Sequence, residues 1–211
     1  MSPVTCQISV SVDGFVAGPN QSLDHPLGEG GTRLHDWAIA TEAWQRQHGS
    51  GAGEPGVDSQ VVEESVQGVG AYIMGRRMFG GGHGPWDETW TGWWGEDPPF
   101  HVPVFVLTHH AREPLAMQGG TTFTFVTDGI ASALEQARTA AGDKDVAIAG
   151  GASAARQYLA AGILDELYLH IVPVVLGAGE RLFEDVGDPT LEPVKVVASP
   201  AVTHVKYRVI R

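Results

Sequence analysis

The sequence predicts an α/β fold in which one central, mostly parallel mixed sheet carries helices on both faces. Between residues 58 and 161, short apolar segments typical of buried strands alternate with segments of helical periodicity, which is the pattern of parallel strands joined by crossover helices. After residue 167, strand patterns follow one another without helices, which adds antiparallel strands at an edge of the sheet. The length of 211 residues suits one domain over residues 1–211.

Composition excludes several classes of partner. The 13 Lys and Arg against 25 Asp and Glu give a net charge of −12, which repels nucleic acid and anionic membrane surfaces, so we expect neither partner. The single Cys6 can form no intramolecular disulfide, and the first residues lack the charged and apolar regions of an export signal. These features predict a cytoplasmic protein whose partner is a small molecule.

The first third of the chain contributes one strand and two helices to the prediction. Alternating apolar residues predict a strand at residues 4–12. Apolar spacing predicts a helix over residues 33–47 and a second helix that Asp58 caps and that ends by Gly70. The glycine-rich segment between them, at residues 48–56, is predicted to be flexible.

The rest of the chain contributes further strands and two helices. Helices are predicted over residues 152–161 and from Asp128, as the cap, to Gly142. Residues 80–99, which contain four tryptophans, are predicted to form a loop. The remaining strands, which with residues 4–12 make about eight, are expected at residues 71–74, 102–108, 122–126, 146–149, 167–175, 194–198 and 202–210.

A buried strand, two glycines and a helix that opens with small residues follow one another at residues 146–159, VAIAGGASAARQYL. Glycine lets a diphosphate approach the main chain, and the free N–H groups of a helix N-terminus favour negative charge. The segment is therefore a candidate anion site, although it matches neither a Rossmann GxGxxG motif nor a P-loop. The residues alone leave open that Gly150 and Gly151 serve only the backbone angles of a tight turn.

Two further candidate phosphate contacts follow predicted strands. Gly75, Arg76 and Arg77 lie where a strand reaches the carboxyl edge of the sheet, where ligands of open α/β sheets bind, and Arg offers paired donors to a phosphate. Thr108 and His109 follow another strand in the same way. The alternative is that both segments are solvated surface.

Substrate contacts are harder to select from the residues. Asp36 and Asp58 are acidic candidates, and Trp86 is a candidate wall for a flat ligand. Asp58 can equally be a helix cap, Asp13 a turn residue and the tryptophans part of the core. The nine histidines show no metal-ligand spacing and no GxSxG motif is present, so we expect neither a metal site nor nucleophilic catalysis.

Four segments, taken in order, resemble the dihydrofolate reductase-like superfamily, especially the reductase domain of bifunctional riboflavin-biosynthesis deaminase/reductases and its stand-alone relatives. The segments are SVDGFVAG at 11–18, YIMGRRMF at 72–79, AIAGGASAARQYLAAGILDELYL at 147–169 and HIVPVVLGAGERLF at 170–183. Each is short, whereas the ordered set is specific and covers nearly the whole chain. The resemblance implies a central mixed sheet of about eight strands and NADPH as the hydride donor.

The resemblance also implies roles for individual residues. Cofactor contacts are implied for the pyrophosphate, the adenosine side, the ribose phosphates, the nicotinamide and a loop near the cofactor or substrate. The residues implied for the pyrophosphate are Gly150, Gly151, Ala152, Ser153 and Ala154, and those for the adenosine side are Gly75, Arg76 and Arg77. The residues implied for the ribose phosphates are Thr108 and His109, and those for the nicotinamide are Val16, Ala17 and Gly18. The implied loop near the cofactor or substrate consists of Gly177, Ala178, Gly179 and Glu180. The family can also hold a cis peptide between Gly150 and Gly151. Asp36 lies in a place comparable to the acidic residue with which true dihydrofolate reductases grip the pterin.

The sequence therefore predicts an NADPH-dependent reductase that transfers a hydride to a small planar heterocycle or carbonyl compound, pyrimidine- or pterin-like. Asp58, Asp36 and Trp86 are the residues expected at the substrate. Two alternatives stay open: a relative that binds a flavin or deazaflavin, and a nucleotide-binding module without turnover. A homodimer is compatible with the resemblance. Residues 20–58 and 80–101 look unlike the riboflavin enzymes, so the aminopyrimidine of that pathway is one candidate substrate among several.

Overall fold

Eleven strands form a large and a small sheet in the computed structural model, which describes residues 2–49, 51–82 and 84–210. The strands are β1 (Val4–Ser11), β2 (Phe15–Ala17), β3 (Val69–Gly75), β4 (Pro103–Leu107), β5 (Leu115–Ala116), β6 (Thr122–Val126), β7 (Asp145–Gly150), β8 (Glu166–Val172), β9 (Glu180–Arg181), β10 (Thr190–Ala198) and β11 (Thr203–Ile210). Strands β2 and β9 pair with each other, and the other nine form the central sheet.

The central sheet has the strand order β10-β11-β8-β1-β7-β3-β4-β6-β5. The six strands from β8 to β6 in this order are parallel to one another. Strands β10 and β11 at one end and β5 at the other run antiparallel to their neighbours. The last residues of β1, β7, β3 and β4 therefore meet along one edge of the sheet, which we call the carboxyl edge.

Helices cover both faces of the central sheet. They are α1 (Asp36–Ile39), α2 (Glu42–Gln47), α3 (Val57–Val66), α4 (Arg76–Phe79), α5 (Gly129–Ala141) and α6 (Ala152–Ala160), with 3₁₀ turns at Gly31–Leu34 and Gln118–Gly120. Alternate residues of β8 separate the two faces: Leu167 and Leu169 pack with residues of α5 and α6, whereas Tyr168 packs with Trp37 and Val62 of α1 and α3.

The tryptophan-rich loop packs on the sheet as part of the core. Trp86, Trp90 and Trp94 contact a buried aromatic cluster that includes Phe79 and Phe123. Aromatic pairs within it meet edge to face, for example Phe79 and Phe123 with ring centroids 5.0 Å apart. The interpretation of these tryptophans as core residues is therefore correct for these three.

The predicted fold class is confirmed. The eight predicted strands are present, with ends that differ from the prediction by up to four residues at β10. The central sheet has nine strands and not eight, because it includes β5. This strand was not predicted, since two residues are too few to produce a sequence pattern. Strands β2 and β9 escaped prediction for the same reason.

The prediction of one helix over residues 33–47 is wrong. The segment forms the second half of a 3₁₀ turn, then α1 and α2. Thr41 separates the two helices, since its hydroxyl donates to the Ala38 carbonyl at 2.6 Å and accepts from the Trp44 amide at 3.2 Å. A threonine that bonds to the backbone on both sides ends one helix and caps the next.

The prediction that Asp58 caps its helix is also wrong. Helix α3 begins at Val57 after Gly56, and the Asp58 side chain bonds to groups outside the helix. The helix ends at Val66, before Gly70 as predicted, and Gly68 follows it with a φ of 75°. Val69, which was expected on the helix, begins β3. Asp128 holds the predicted cap position of α5, although its side chain makes no capping hydrogen bond.

Part of the segment predicted to be flexible is tied to the helices. The Glu54 amide donates to the Ala40 carbonyl at 2.8 Å, and the Glu54 carbonyl accepts from the Glu42 amide at 3.0 Å. Ser50 of this segment and His83 of the predicted loop lie outside the described residues. Within the described ranges, no helix combines the length and the apolar character needed to cross a membrane.

Candidate functional site

Two predicted phosphate segments lie side by side at the carboxyl edge. Strand β3 pairs with β7 so that Met74 is the register partner of Gly150. The chain continues from these positions into Gly75 and Gly151, and a Cβ placed on Gly75 would lie 3.7 Å from the Gly151 amide nitrogen. The strand pairing thus joins two segments that are far apart in the sequence into one surface.

The Gly150-Gly151 turn leads directly into α6. The peptide between the two glycines is cis, as the resemblance implied, and Gly150 has a φ of 125°. No side chain among the described residues caps the N-terminus of α6, so its first amides, which include those of Ala152, Ser153 and Ala154, have no capping partner. Uncapped amides beside glycines form a surface suited to an anion.

Arg76 has the most unusual environment of the candidate residues. Its Nε, Nη1 and Nη2 atoms are buried, and none has a hydrogen-bond partner among the described residues. The guanidinium carbon lies 3.6 Å from the centre of a Trp86 ring. Burial, and after it repulsion from Arg112, lowers the pKa of Arg76. Buried donors that lack partners carry a desolvation cost, which an anion would offset.

Arg112 is a second cation at the same place, and the sequence interpretation missed it. Its guanidinium carbon lies 5.3 Å from the Trp86 ring, and its Nη2 donates to the Glu88 carbonyl at 3.0 Å. Its Nη1 is buried and has no hydrogen-bond partner in the described part of the chain. The Trp86 indole donates to the His110 carbonyl at 2.7 Å and so links both arginines to the turn after β4.

Arg77, in contrast to Arg76, has an acidic partner. Its Nη1 lies 2.6 Å from Oε1 of Glu180, and Nη2 of Arg156 lies 3.8 Å from the other oxygen of that carboxylate. Glu180 therefore connects α4, α6 and β9. Arg156 was not among the predicted site residues, and as the fifth residue of α6 it stands close to the glycine turn in the sequence.

The segments predicted to lie near the nicotinamide are brought together by the small sheet. Ala17 of β2 is the register partner of Glu180 of β9. Gly179 packs so tightly on this strand that a Cβ would lie 2.0 Å from the Ala17 carbonyl oxygen. Val16 and Ala17 are buried, and the backbone of Gly18 packs on Glu29.

Asp13 orients the loop that follows β8. Its two carboxylate oxygens accept from the amides of Leu176 and Gly177, at 3.1 and 2.7 Å. A hydrogen bond from Ser11, followed by these amides, lowers the pKa of Asp13 to about 2. The sequence interpretation correctly put Asp13 in a turn. It missed the hydrogen bond between Asp13 and the Gly177 amide, which are 164 residues apart.

Thr108 and His109 follow β4 at the same edge. Thr108 is buried, and its hydroxyl accepts from the His110 amide at 3.1 Å, so it shapes the turn. His109 is exposed. The predicted contact of these residues with ribose phosphates stays a prediction.

The three residues expected at the substrate lie in different surroundings. Asp58 accepts from the Ser199 hydroxyl at 2.8 Å and lies 3.1 Å from Nε2 of His204, and its side chain is 19% exposed. Asp36 is exposed in the first turn of α1. Trp86 packs in the aromatic cluster beside Arg76. Asp58 lies elsewhere, against His204, whose ring in turn contacts Trp37 of α1. The Asp58 carboxylate is thus partly exposed and is held in orientation by Ser199 and His204.

The model of the RibD C-terminal domain matches residues 3–205 of this sequence. The chain belongs to the RibD C-terminal domain family. A curated relative, the uncharacterized protein YyaP of Bacillus subtilis, is 40% identical over 95 residues, which are 43% of this chain and 50% of that protein. The match thus spans half the length of that relative.

Solved structures establish the same fold for the RibD-family chain. A putative riboflavin biosynthesis protein from Shewanella sp. PV-4 superposes with a TM-score of 0.63 at 20% identity over 99% of each chain. A dihydrofolate reductase from Enterococcus faecalis, complexed with NADP(H), has a TM-score of 0.54 at 13% identity over 98% of this chain and 96% of that one.

A third solved structure is longer than this chain. It is the diaminohydroxyphosphoribosylaminopyrimidine deaminase/5-amino-6-(5-phosphoribosylamino)uracil reductase of Thermotoga maritima, with a TM-score of 0.55 at 14% identity over 99% of this chain and 57% of that one. At these identities the likeness shows the fold, which is that of the dihydrofolate reductase-like proteins.

Proposed function

We propose that this chain is an NADPH-dependent reductase that transfers a hydride to a small planar heterocycle or carbonyl compound, pyrimidine- or pterin-like. The observation that supports it most is Arg76, a buried guanidinium without hydrogen-bond partners among the described residues, beside a glycine-lined helix N-terminus. An anionic nucleotide that carries several phosphates fits both features at once.

We assign the residues of the carboxyl edge to the parts of NADPH. Gly150, Gly151 and the amides of Ala152, Ser153 and Ala154 would hold the pyrophosphate, with Gly75, Arg76 and Arg77 on the adenosine side and Thr108 and His109 near the ribose phosphates. Because Arg77 is paired with Glu180 and Arg112 with Glu88, Arg76 is the arginine whose three side-chain nitrogens would all be offered to the 2′-phosphate. Val16, Ala17 and Gly18 would flank the nicotinamide, and Gly177, Ala178, Gly179 and Glu180 would line the site beside them.

The chemistry divides between the cofactor and the chain. Bound NADPH supplies the hydride, and the chain binds, orients and excludes water. Asp58, as a partly exposed carboxylate, would accept hydrogen bonds from N–H groups of a heterocycle and pass a proton to it. Asp36 and Trp86 stay predictions as substrate contacts.

The test is oxidation of NADPH by the purified protein with two probes, the aminouracil 5-amino-6-(5-phosphoribosylamino)uracil and dihydrofolate. We expect loss of the NADPH absorbance with a pyrimidine- or pterin-like probe and a lower rate in Arg76→Ala. Binding of NADPH without turnover of any planar heterocycle would favour a nucleotide-binding module. A purified protein that is yellow or fluoresces like a deazaflavin would contradict NADPH as the cofactor.

A further inference from the structure

Two buried histidines lie behind the Asp58 carboxylate. His170 of β8 and His204 of β11 are register partners in the antiparallel pair, and they are 5% and 0% exposed. Their Nδ1 atoms are 2.8 Å apart, and Nε2 of His204 lies 3.1 Å from Oδ1 of Asp58. The three side chains therefore form a continuous hydrogen-bonded array from the core to a partly exposed carboxylate.

The contacts allow one neutral arrangement of protons in this array. A carboxylate only accepts, so His204 must donate from Nε2 to Asp58, which leaves its Nδ1 without a proton when the ring is neutral. The Nδ1 atom of His170 must then donate to Nδ1 of His204. Burial lowers the pKa of His170 to about 3, and burial also lowers the pKa of His204, so both rings are neutral near pH 7.

Neighbouring side chains hold the two rings in place. The Trp37 ring lies 4.8 Å from the ring of each histidine, and its indole nitrogen donates to the Ser9 hydroxyl at 3.1 Å. Tyr168 lies 4.9 Å from the His170 ring. The titratable groups that face the pair are Asp58 and Lys195 towards His204, His35 towards His170, and Tyr168 towards both. Packing by Trp37 leaves each ring little freedom to flip.

The array also competes with the helix for the Asp58 carboxylate. An aspartate in the first turn of a helix is placed to interact with the free amides and the positive dipole there. In this chain Oδ1 faces His204 and Oδ2 accepts from Ser199, both from the β10 to β11 region. The carboxylate is thus turned from its own helix towards the sheet while 19% of the side chain stays exposed.

We propose that His204, oriented by His170, is a positioning residue that aims Asp58 at the N–H groups of the substrate. The inference rests on the proposed function in one respect, that Asp58 contacts the substrate. It adds that the affinity for a heterocycle with N–H donors depends on a tautomer pair in the core that touches neither substrate nor cofactor.

The first test needs no ligand. Nitrogen-15 NMR of the histidine rings should show a proton on Nδ1 of His170 and on Nε2 of His204, with both signals displaced in Asp58→Asn. The opposite tautomers, or nitrogen-15 chemical shifts that are the same in the wild type and in Asp58→Asn, would overturn the inference. This measurement tests the proton positions in the array even if the protein binds no NADPH. The absence of NADPH binding would contradict the proposed function and not the array.

The second test uses substitutions that keep or remove one donor. His204→Gln keeps an amide donor near Nε2, and His170→Asn keeps one near Nδ1, whereas His204→Leu and His170→Leu keep none. Val205→Ala is the control, because Val205 is also buried on β11 and its side chain points to the other face. For each protein we would measure the dissociation constant for NADPH and the Michaelis constant, KM, for the aminouracil probe.

We expect His204→Leu to raise the KM for this probe about tenfold or more with an unchanged NADPH dissociation constant, since a hydrogen bond to the charged Asp58 is lost. His170→Leu should raise the KM by a smaller factor, because the hydrogen bond that it removes joins two neutral rings. The glutamine and asparagine variants should recover most of the loss, and Val205→Ala should show none. Leucine variants with the wild-type KM would refute the positioning role and leave the proposed reductase function standing. Equal effects in Val205→Ala would reduce the role of the histidines to core packing.

Discussion

Arg76 carries three buried side-chain nitrogens without hydrogen-bond partners among the described residues. The sequence placed it correctly at the end of a strand, because a buried apolar run followed by Gly75 indicates where β3 reaches the edge. The sequence did not show that Trp86 and Arg112 would bury its guanidinium, since these contacts join loops that carry no periodic pattern. Arg156, His170 and His204 were missed likewise, although a histidine that alternates with buried apolar residues in β8 is a signal that was available.

We expect Arg76→Ala to weaken NADPH binding roughly 10- to 150-fold, the equivalent of about 1.5–3 kcal/mol for a lost phosphate contact. NADH affinity should change little, because that cofactor lacks the 2′-phosphate. The free energy of unfolding should change by less than about 1 kcal/mol, since loss of the contact with Trp86 opposes the removal of a buried charge that has no hydrogen-bond partner among the described residues and faces Arg112. Binding titrations and urea unfolding check both parts.

Arg208→Ala is the matched control for this prediction. Arg208 lies on β11 and pairs with Glu192 at 2.9 Å, and its register partner on β8 is Glu166 at the amino end of that strand. Its loss should leave NADPH binding unchanged. Equal affinity for NADPH in the wild type and Arg76→Ala would contradict the adenosine-side role of Arg76.

At the scale of elements, the turns at the carboxyl edge combine two kinds of glycine. Gly151 has a φ of −75° and nothing within 4 Å of a Cβ, whereas Gly179 has a φ of 132° and a Cβ there would meet the Ala17 carbonyl. Gly151 is therefore open on the side of the proposed cofactor, and Gly179 is required by the fold.

We predict opposite outcomes for Gly151→Ala and Gly179→Ala. Gly151→Ala should keep the free energy of unfolding within about 0.5 kcal/mol and weaken NADPH binding roughly tenfold, because the methyl group obstructs the approach of the diphosphate. Gly179→Ala should lower the free energy of unfolding by about 1–3 kcal/mol through overpacking and strain. Ser153→Ala, near the start of α6, should do neither. Undiminished NADPH binding by Gly151→Ala would count against the pyrophosphate assignment.

The elements themselves were largely predictable from the sequence, for physical reasons. Helix α5 buries Ala133, Leu134, Ala137 and Ala141 on one stripe and ends at Gly142 with a φ of 62°, so periodicity and the terminal glycine sufficed. The prediction of one helix over residues 33–47 was wrong because the apolar spacing continues through Thr41. The Thr41 hydroxyl bonds to the backbone on both sides and so ends one helix and caps the next. The cap at Asp58 failed because Ser199 and His204, far along the chain, compete for that carboxylate.

At the scale of the whole molecule, buried histidines tie stability to pH. Burial keeps His170 neutral, with a pKa of about 3 in the fold against an ordinary value of 6.5, and the pKa values of His204 and His35 are also lowered. A histidine whose folded pKa is lowered contributes stability that is present above its unfolded pKa and is lost as the pH falls towards the folded pKa. The affected window is therefore from about pH 6.5 down to pH 3.

We predict that the free energy of unfolding falls by about 2 kcal/mol or more between about pH 8 and pH 5, the loss that linkage assigns to a group with such a shift. Urea unfolding at both pH values measures it. Protonation of Asp13, whose pKa is lowered from 3.8 to about 2, reduces the free energy of unfolding only below about pH 4. Asp13 therefore does not contribute to the change between pH 8 and pH 5. His170→Asn should show a smaller fall, and a wild type equally stable at both pH values would contradict the neutral buried pair.

The most direct test of the whole account is equilibrium binding of NADPH and, separately, of NADH to the purified wild-type protein, followed by quenching of tryptophan fluorescence. Trp86 stacks on Arg76 at 3.6 Å and so lies at the proposed phosphate site. We predict saturable quenching with at least about tenfold tighter binding of NADPH, which corresponds to about 1.4 kcal/mol for the contact between the 2′-phosphate and Arg76. Equal affinities for the two cofactors, or binding of neither, would contradict the assignment of this edge of the sheet as an NADPH site.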